Sequence, residues 1–140
     1  MYKGLDGLKT VRLNEEKTAV VILDQTRLPG EEVYLSLFTA EDIWDAIYKL
    51  KVRGAPAIGI TAAYGIYICS RQIATSSMAE FKEEFSRIKD YLASSRPTAV
   101  NLTAALNRME QVVLNHPSVS VEALIPLLYK ESENIREEDA

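Results

Sequence analysis

An α+β fold, a small three-stranded antiparallel sheet followed by a bundle of about five helices, is predicted by three observations on the 140-residue chain. Before residue 39, short runs alternate apolar and polar residues, the period of a half-buried strand. After Thr39 the apolar residues recur at spacings of three and four, the period of a helix buried on one face. Between these runs stand Asn, Asp, Pro and Gly clusters or Ser/Thr helix starts, which punctuate the chain into short segments. With 47% hydrophobic residues, a chain of this length can bury the core of a single domain. The change of period divides it into a small β-sheet region over residues 1–38 and a helical bundle over 39–140.

Val11 and Leu13 alternate with Thr10 and Arg12, Ala19 to Leu23 is a continuous apolar run, and Val33, Leu35 and Leu37 alternate with Tyr34 and Ser36. These are the predicted strands. Asn14-Glu15-Glu16-Lys17 supplies the first turn, and Asp24 to Gly30 the second connection, bent at Pro29-Gly30. The first helix opens at Thr39 with Asp42 and carries Ile43, Ala46, Ile47 and Leu50 on one face, leaving Trp44 off that stripe. The second is placed from about Ala55 to about Thr75. From Gly54 to Ser70 no residue is charged and apolar side chains fall on every side, as in a helix surrounded by other elements. That run is shorter than the ~20 residues a bilayer span needs and is interrupted by Gly59, Thr61 and Gly65. Ser77 with Glu80 reads as a capping box for the third helix, which turns Met78, Phe81, Phe85, Ile88 and Leu92 inward. The fourth starts after Ser95-Arg96-Pro97-Thr98, buries Leu102, Leu106, Met109 and Val113, and ends before His116-Pro117. A fifth, capped near Ser120, presents Val121, Leu124, Ile125, Leu128 and Ile135, with Pro126 accommodated by a kink or a late helix start.

The net charge of −4 argues against a general nucleic-acid binder, which needs a basic surface. A single cysteine, Cys69, excludes an internal disulfide, and Met1 to Gly4 lead into no apolar signal region, so a cytoplasmic protein is expected. Cys69 falls inside the apolar helix and reads as a core residue. Asp24, Asp42 and Asp45 have no partner by spacing, and His116 beside Pro117 reads as a loop residue. No clustered Cys or His offers a zinc site, and neither a metal nor a cofactor is expected. The acidic end from Arg136 to Ala140 reads as a solvated helix terminus.

Val52-Arg53-Gly54-Ala55-Pro56-Ala57-Ile58-Gly59 joins an arginine to residues that can open a helix. Gly54 lets the backbone approach a ligand, Pro56 suits a first helical turn, and the free N–H groups there favour an anion. Arg53 adds a planar, bidentate donor at the same place. Small residues at 54, 55, 59, 62, 63 and 65 equally suit close helix packing, so this stretch by itself leaves packing and anion binding both open. Arg96 repeats the pattern, an arginine followed by a proline within a first helical turn. Two such starts point to convergence on one dianion.

The stretches Val52 to Gly59, Ser95-Arg96-Pro97-Thr98-Ala99-Val100-Asn101-Leu102 and Leu23-Asp24-Gln25-Thr26-Arg27-Leu28-Pro29 resemble signatures of the methylthioribose-1-phosphate isomerase family. That family also holds ribose-1,5-bisphosphate isomerase and the regulatory alpha, beta and delta subunits of initiation factor 2B. The resemblance runs along most of the chain and is strongest between Asp24 and Leu102. It implies an enzyme of methionine salvage, converting 5-methylthioribose 1-phosphate to 5-methylthioribulose 1-phosphate. It further implies that Arg53, Gly54, Ala55 and Arg96 bind the phosphorylated sugar. The family's catalytic cysteine and aspartate lie in a Rossmann-like second half that this chain lacks, so no residue here is assigned to catalysis. No turnover is expected from residues 1–140 by themselves. The implied partners are a small phosphorylated sugar, the C-terminal Rossmann-like half and a second copy in a homodimer, with neither nucleic acid nor membrane. The alternatives are a regulatory subunit that senses a sugar phosphate or nucleotide, a ribose-1,5-bisphosphate isomerase, or a helical interaction domain without a ligand.

Overall fold

The computed structural model describes residues 11–138, so the readings of Met1 to Thr10 and of the last two residues lie outside it. Strands β1 (Val11–Leu13), β2 (Val20–Leu23) and β3 (Tyr34–Leu37) form an antiparallel sheet, as the alternation predicts, and the structure gives its order as β1-β2-β3. Val11 pairs with Ile22 and Leu13 with Val20 on one side, Val20 with Leu37 and Ile22 with Leu35 on the other. Their odd-numbered and even-numbered apolar partners thus share one face, and Val11, Val20, Ile22 and Leu37 join the core from it. The first turn is closed by Asn14, whose Oδ1 accepts from the backbone N–H of Thr18 and Ala19 at 2.8 and 3.0 Å. Asp24, which has no partner by spacing, is buried and accepts from Thr26 N–H and Oγ1, capping a short 3-10 turn over Gln25–Arg27.

The helices are α1 (Ala40–Tyr48), α2 (Ala55–Arg71), α3 (Met78–Ala93), α4 (Val100–Leu114) and α5 (Val121–Glu138). Helix α2 is the axis of the molecule. Every residue from Ala57 to Ser70 is buried, and the helix packs against the other four helices as well as β1 and β2. This is what an all-round apolar helix requires, since no face of it can meet water without loss. Its buried hydroxyls are satisfied locally, Thr61 donating to the Ala57 carbonyl and Ser70 to that of Ile66. Tyr64 donates to Glu133 of α5 at 2.6 Å, and burial, with that carboxylate, drives its phenol well above the ordinary range. Phe81, Phe85 and Leu92 of α3 and Leu102, Leu106 and Met109 of α4 complete the core.

Two boundaries and one cap differ from the pattern. Helix α2 ends at Arg71 rather than near Thr75, because polar anchors take over there. The Arg71 guanidinium donates to the carbonyls of Glu16 and Lys17, and Gln72 Nε2 donates to that of Phe38 at 2.8 Å. Helix α1 stops at Tyr48, and Leu50, expected on its core face, lies beyond the end with φ +61° and is 41% exposed. The capping box at Ser77 forms only in one direction: Ser77 accepts from Glu80 N–H, while the Glu80 carboxylate takes the Thr75 hydroxyl. Helix α5 starts at Val121 and continues through Pro126, which leaves the carbonyl four residues back without an intrahelical donor. Trp44, off the stripe as expected, stacks on Tyr48 and Tyr91 and donates to Ser94 Oγ at 2.9 Å.

Cys69 is 4% exposed, and burial, reinforced by the Glu41 carboxylate, pushes its thiol up to about 12. Native labelling with a thiol reagent at neutral to mildly alkaline pH is therefore expected to be slow and to become fast on unfolding. In the unfolded chain this thiol loses its proton first, so the contribution of its burial to stability falls as pH rises from the ordinary thiol range towards 12. Rapid native labelling would contradict the assignment.

Candidate functional site

A cleft of about 400 Å³ opens where the chain enters α2 and α4, and it is lined by Leu50, Arg53, Gly54, Ala55, Ile58, Arg96, Ala99, Val100 and Asn101. All four residues singled out in the sequence, Arg53, Gly54, Ala55 and Arg96, therefore lie on one surface, although 43 positions separate the arginines. Local backbone rules place each of them. Gly54 caps α2 at φ +93°, a conformation open to glycine, and a Cβ there would meet nothing within 4 Å, so the requirement is conformational and not spatial. Pro56 follows in the first turn.

At the second arginine the structure corrects the sequence. Pro97 is not helical, because α4 begins only at Val100. Instead Arg96 to Ala99 close a turn through the Ala99 N–H and the Arg96 carbonyl at 3.0 Å, with proline at the second position, where its fixed φ fits. The buried Ser95, donating to the Leu92 carbonyl at 2.7 Å, fixes the turn to the end of α3. Gly59 brings the two helix starts together: a Cβ built on it would stand 3.4 Å from the Asn101 carbonyl oxygen and 3.8 Å from the Asn101 Cβ.

The helix starts at the cleft differ from the others. Helices α1, α3 and α5 begin at Thr39, Ser77 and Ser120, whose hydroxyls each accept a first-turn N–H. Helices α2 and α4 begin at Gly54 and Ala99, with no side-chain cap. Their first-turn N–H groups, from Ala55 and Ala57 and from Val100 and Asn101, keep their hydrogen-bonding capacity and the positive end of each helix dipole. Among the described residues neither Arg53 nor Arg96 forms an ion pair, and no carboxylate lines the cleft. Cations and uncapped N–H groups without a counter-charge suit a phosphate. Replacement of Ala99 by Asp should supply the missing cap of α4, raising stability by about 0.5–2 kcal/mol while weakening anion binding through charge repulsion. Thermal unfolding and phosphate titration of the same variant check both signs.

A larger cleft, about 770 Å³, lies among α1, α2 and α3, and Cys69 is on its wall. Glu41, Glu80, Glu83 and Glu84 line it, and its one arginine, Arg87, is paired with Glu84. This acidic lining would repel an anion. Among the described residues no three His, Cys, Asp or Glu side chains are placed to hold a metal, and no helix is long and apolar enough to cross a membrane. His116, as its position suggested, is taken up locally, with Nδ1 2.8 Å from the Val112 carbonyl. Sequence reasoning missed Leu50, Ile58 and Val100 as cleft residues. An apolar residue at an uncapped helix start was the signal available for Val100; for Leu50 the helical spacing pointed the wrong way.

Residues 51–140 match the family model described as the Initiation factor 2 subunit family. The chain is 65% identical, over 93% of its length, to a methylthioribose-1-phosphate isomerase of Parabacteroides distasonis, of which it covers 39%. It is 50% identical, over 92% of its length, to a 5-deoxyribose 1-phosphate isomerase of Petrotoga mobilis, of which it covers 37%. The chain thus spans about two-fifths of the length of the curated relatives it matches. Among solved structures it resembles 5-methylthioribose 1-phosphate isomerase from Pyrococcus horikoshii OT3, with TM-score 0.87 and 32% identity, covering 92% of this chain and 36% of that one. It also resembles subunit delta of the translation initiation factor eIF-2B from A. fulgidus, with TM-score 0.83 and 36% identity, covering 93% and 37%.

Proposed function

The chain belongs to the initiation factor 2 subunit family, and we propose that it is the phosphate-anchoring part of a sugar 1-phosphate isomerase acting on 5-methylthioribose 1-phosphate in methionine salvage. The observation that carries this reading is the convergence of Arg53, Gly54, Ala55 and Arg96 on one carboxylate-free cleft between two uncapped helix starts. The reaction moves a hydrogen from C2 to C1 of the sugar as the C1–O4 ring bond breaks, so that the C2 hydroxyl gives its proton to O4 and becomes a carbonyl while C1 becomes a methylene still bearing its phosphate ester. Because the phosphate occupies the anomeric oxygen, the ring cannot open as a free hemiacetal does. Holding the phosphate therefore fixes C1 and C2 relative to the groups that move the hydrogen.

In this division of labour Arg53 and Arg96 neutralise the dianion, while the N–H groups of Ala55 and of the first turn of α4 donate hydrogen bonds to its remaining oxygens. A phosphate anchor alone holds substrate and transition state about equally and does not accelerate a chemical step. The buried thiol of Cys69, on the wall of the other cleft, has neither the access nor the ionisation a catalyst needs. The catalytic groups are accordingly placed outside these residues, in a second, Rossmann-like half, and the complete enzyme is read as a cytoplasmic homodimer. An aldose-to-ketose 1-phosphate conversion assay tests the division: residues 1–140 should bind phosphate weakly and show no turnover. Turnover near the rate of a complete isomerase would move the chemistry into this chain.

A second reading has its own observation, the 36% identity to the eIF-2B subunit delta structure. In that case the same cleft would sense a sugar phosphate or nucleotide without converting it. Absence of turnover by the longest protein that carries this chain, with phosphate binding retained, would favour it.

A further inference from the structure

We infer that the Asn101 carboxamide binds the C2 hydroxyl of the sugar, holding the carbon that loses its hydrogen while the two arginines hold the phosphate; this rests on the phosphate reading above. Asn101 carries the one neutral hydrogen-bonding side chain on the cleft lining among the described residues, which otherwise offers two arginines and side chains without a polar atom. The residue is half-buried, and among the described residues no hydrogen bond engages its carboxamide. Its stem is nevertheless fixed. The first turn of α4 lies against α2 at Gly59, where an added Cβ would stand 3.8 Å from the Asn101 Cβ. Asparagine gives the fold nothing in return at this place. It is the second residue of α4, it does not cap that helix, and alanine would favour the helical backbone more. A half-buried amide on a rigid stem, with its donor and acceptor both free, has them to offer to a ligand.

The place of the residue selects the hydroxyl. The backbone N–H of Asn101 belongs to the uncapped first turn that faces the phosphate, so a side chain borne by the same residue reaches first the hydroxyl nearest the ester. In a sugar 1-phosphate that is the C2 hydroxyl, on the carbon next to the ester carbon. A carboxylate in this position would repel the dianion and a further cation would compete with the arginines for it, whereas an amide adds no charge. The amide also suits both ends of the reaction. Its Nδ2 donates to the C2 oxygen as a hydroxyl and equally as the carbonyl it becomes, so the contact outlasts the transfer of the hydroxyl proton to O4. A phosphate held alone leaves the sugar free to turn about its ester bonds. A second point of attachment at the C2 oxygen stops that rotation and presents C1 and C2 in one orientation to the groups that move the hydrogen.

The test is titration of the chain with inorganic phosphate, ribose 1-phosphate and 2-deoxyribose 1-phosphate, followed by the NMR shifts of the first-turn amides of α2 and α4. The starting protein should bind ribose 1-phosphate roughly three- to tenfold more tightly than its 2-deoxy analogue, the worth of one hydrogen bond between neutral groups. In Asn101→Ala that preference should fall to near unity, with the affinities for inorganic phosphate and 2-deoxyribose 1-phosphate unchanged. Asn101→Leu, which removes the polar atoms but keeps the volume, should lose the preference in the same way. Both replacements are good helix formers, and thermal unfolding verifies that the fold is kept. A preference that is absent at the start or survives in both variants, while phosphate binding still depends on Arg53 and Arg96, overturns the assignment of Asn101 and leaves the phosphate reading standing. An equal loss of all three ligands in Asn101→Ala would make the residue part of the anchor and overturns the assignment too. Phosphate binding indifferent to both arginines overturns the phosphate reading and the role of Asn101 with it.

Discussion

Replacement of both Arg53 and Arg96 by alanine is expected to remove measurable phosphate affinity, and each single replacement to weaken it by about 1.5–3 kcal/mol, roughly ten- to a hundredfold. The range reflects charge-assisted hydrogen bonds that end partly in water. Arg53 is exposed, whereas Arg96 is half-buried behind the Pro97 turn, so Arg96→Ala should be the costlier of the two. Lysine at either position should restore attraction only in part, because a point charge lacks the planar fork that takes two oxygens at once. Raising the ionic strength should weaken the starting protein more than either single variant, since screening acts on the charges removed. Titration with inorganic phosphate and with a sugar 1-phosphate at two salt concentrations measures all of this. Unchanged affinity in both single variants would end the case for the anchor.

The second large effect falls on stability. Gly65→Ala should destabilise by about 1–3 kcal/mol although alanine is the better helix former, because overpacking a dense core costs more than helix propensity returns. A Cβ on Gly65 would stand 2.8 Å from Ile43 Cδ1 and 3.1 Å from its Cγ2, and Ile43 is fully buried with no room to swing away. Gly59→Ala offers the control. Its Cβ would come no closer than 3.4 Å to the Asn101 carbonyl, so the outcome should be near neutral. Ile43→Val alone should cost about 0.5–1.5 kcal/mol, yet in the Gly65→Ala background it should be neutral or favourable, because it removes the atom in conflict. Denaturant unfolding of the four proteins decides the matter. Equal and additive effects would mean that the helices shift apart and do not clash.

The sheet and the five helices were legible because each rests on a local period and a burial demand that agree. Ile43, Phe81, Leu102 and Leu124 sit where three- and four-residue spacing puts them. That Arg53 and Arg96 share a cleft was legible from their repeated setting before a proline, even though Pro97 turned out to shape a turn. What spacing could not reveal was set by contacts distant in sequence. Arg71 and Gln72 end α2 by bonding to carbonyls more than thirty residues away, and no local pattern carries that information. Leu50 continues the apolar period of α1 by one turn, but the chain leaves the helix two residues earlier through backbone bonds to Ala46 and Ile47, so the period outlived the helix. The half-formed box at Ser77 is a smaller case, in which Thr75 competes for the Glu80 carboxylate.

The bare starts of α2 and α4 also tie occupancy to the integrity of the fold. A bound phosphate would serve these two helices as Thr39, Ser77 and Ser120 serve the other three, so ligand and capping residue become interchangeable in kind. Whatever binds the folded chain and not the unfolded one raises its stability in proportion to the logarithm of its concentration, about 2.7 kcal/mol at a hundred times the dissociation constant. The first turns of the buried central helix and of its closest neighbour would then exchange their amide hydrogens more slowly with ligand than without. In a cell, the level of the sugar phosphate would set how long the protein survives proteolysis as well as how often its cleft is filled.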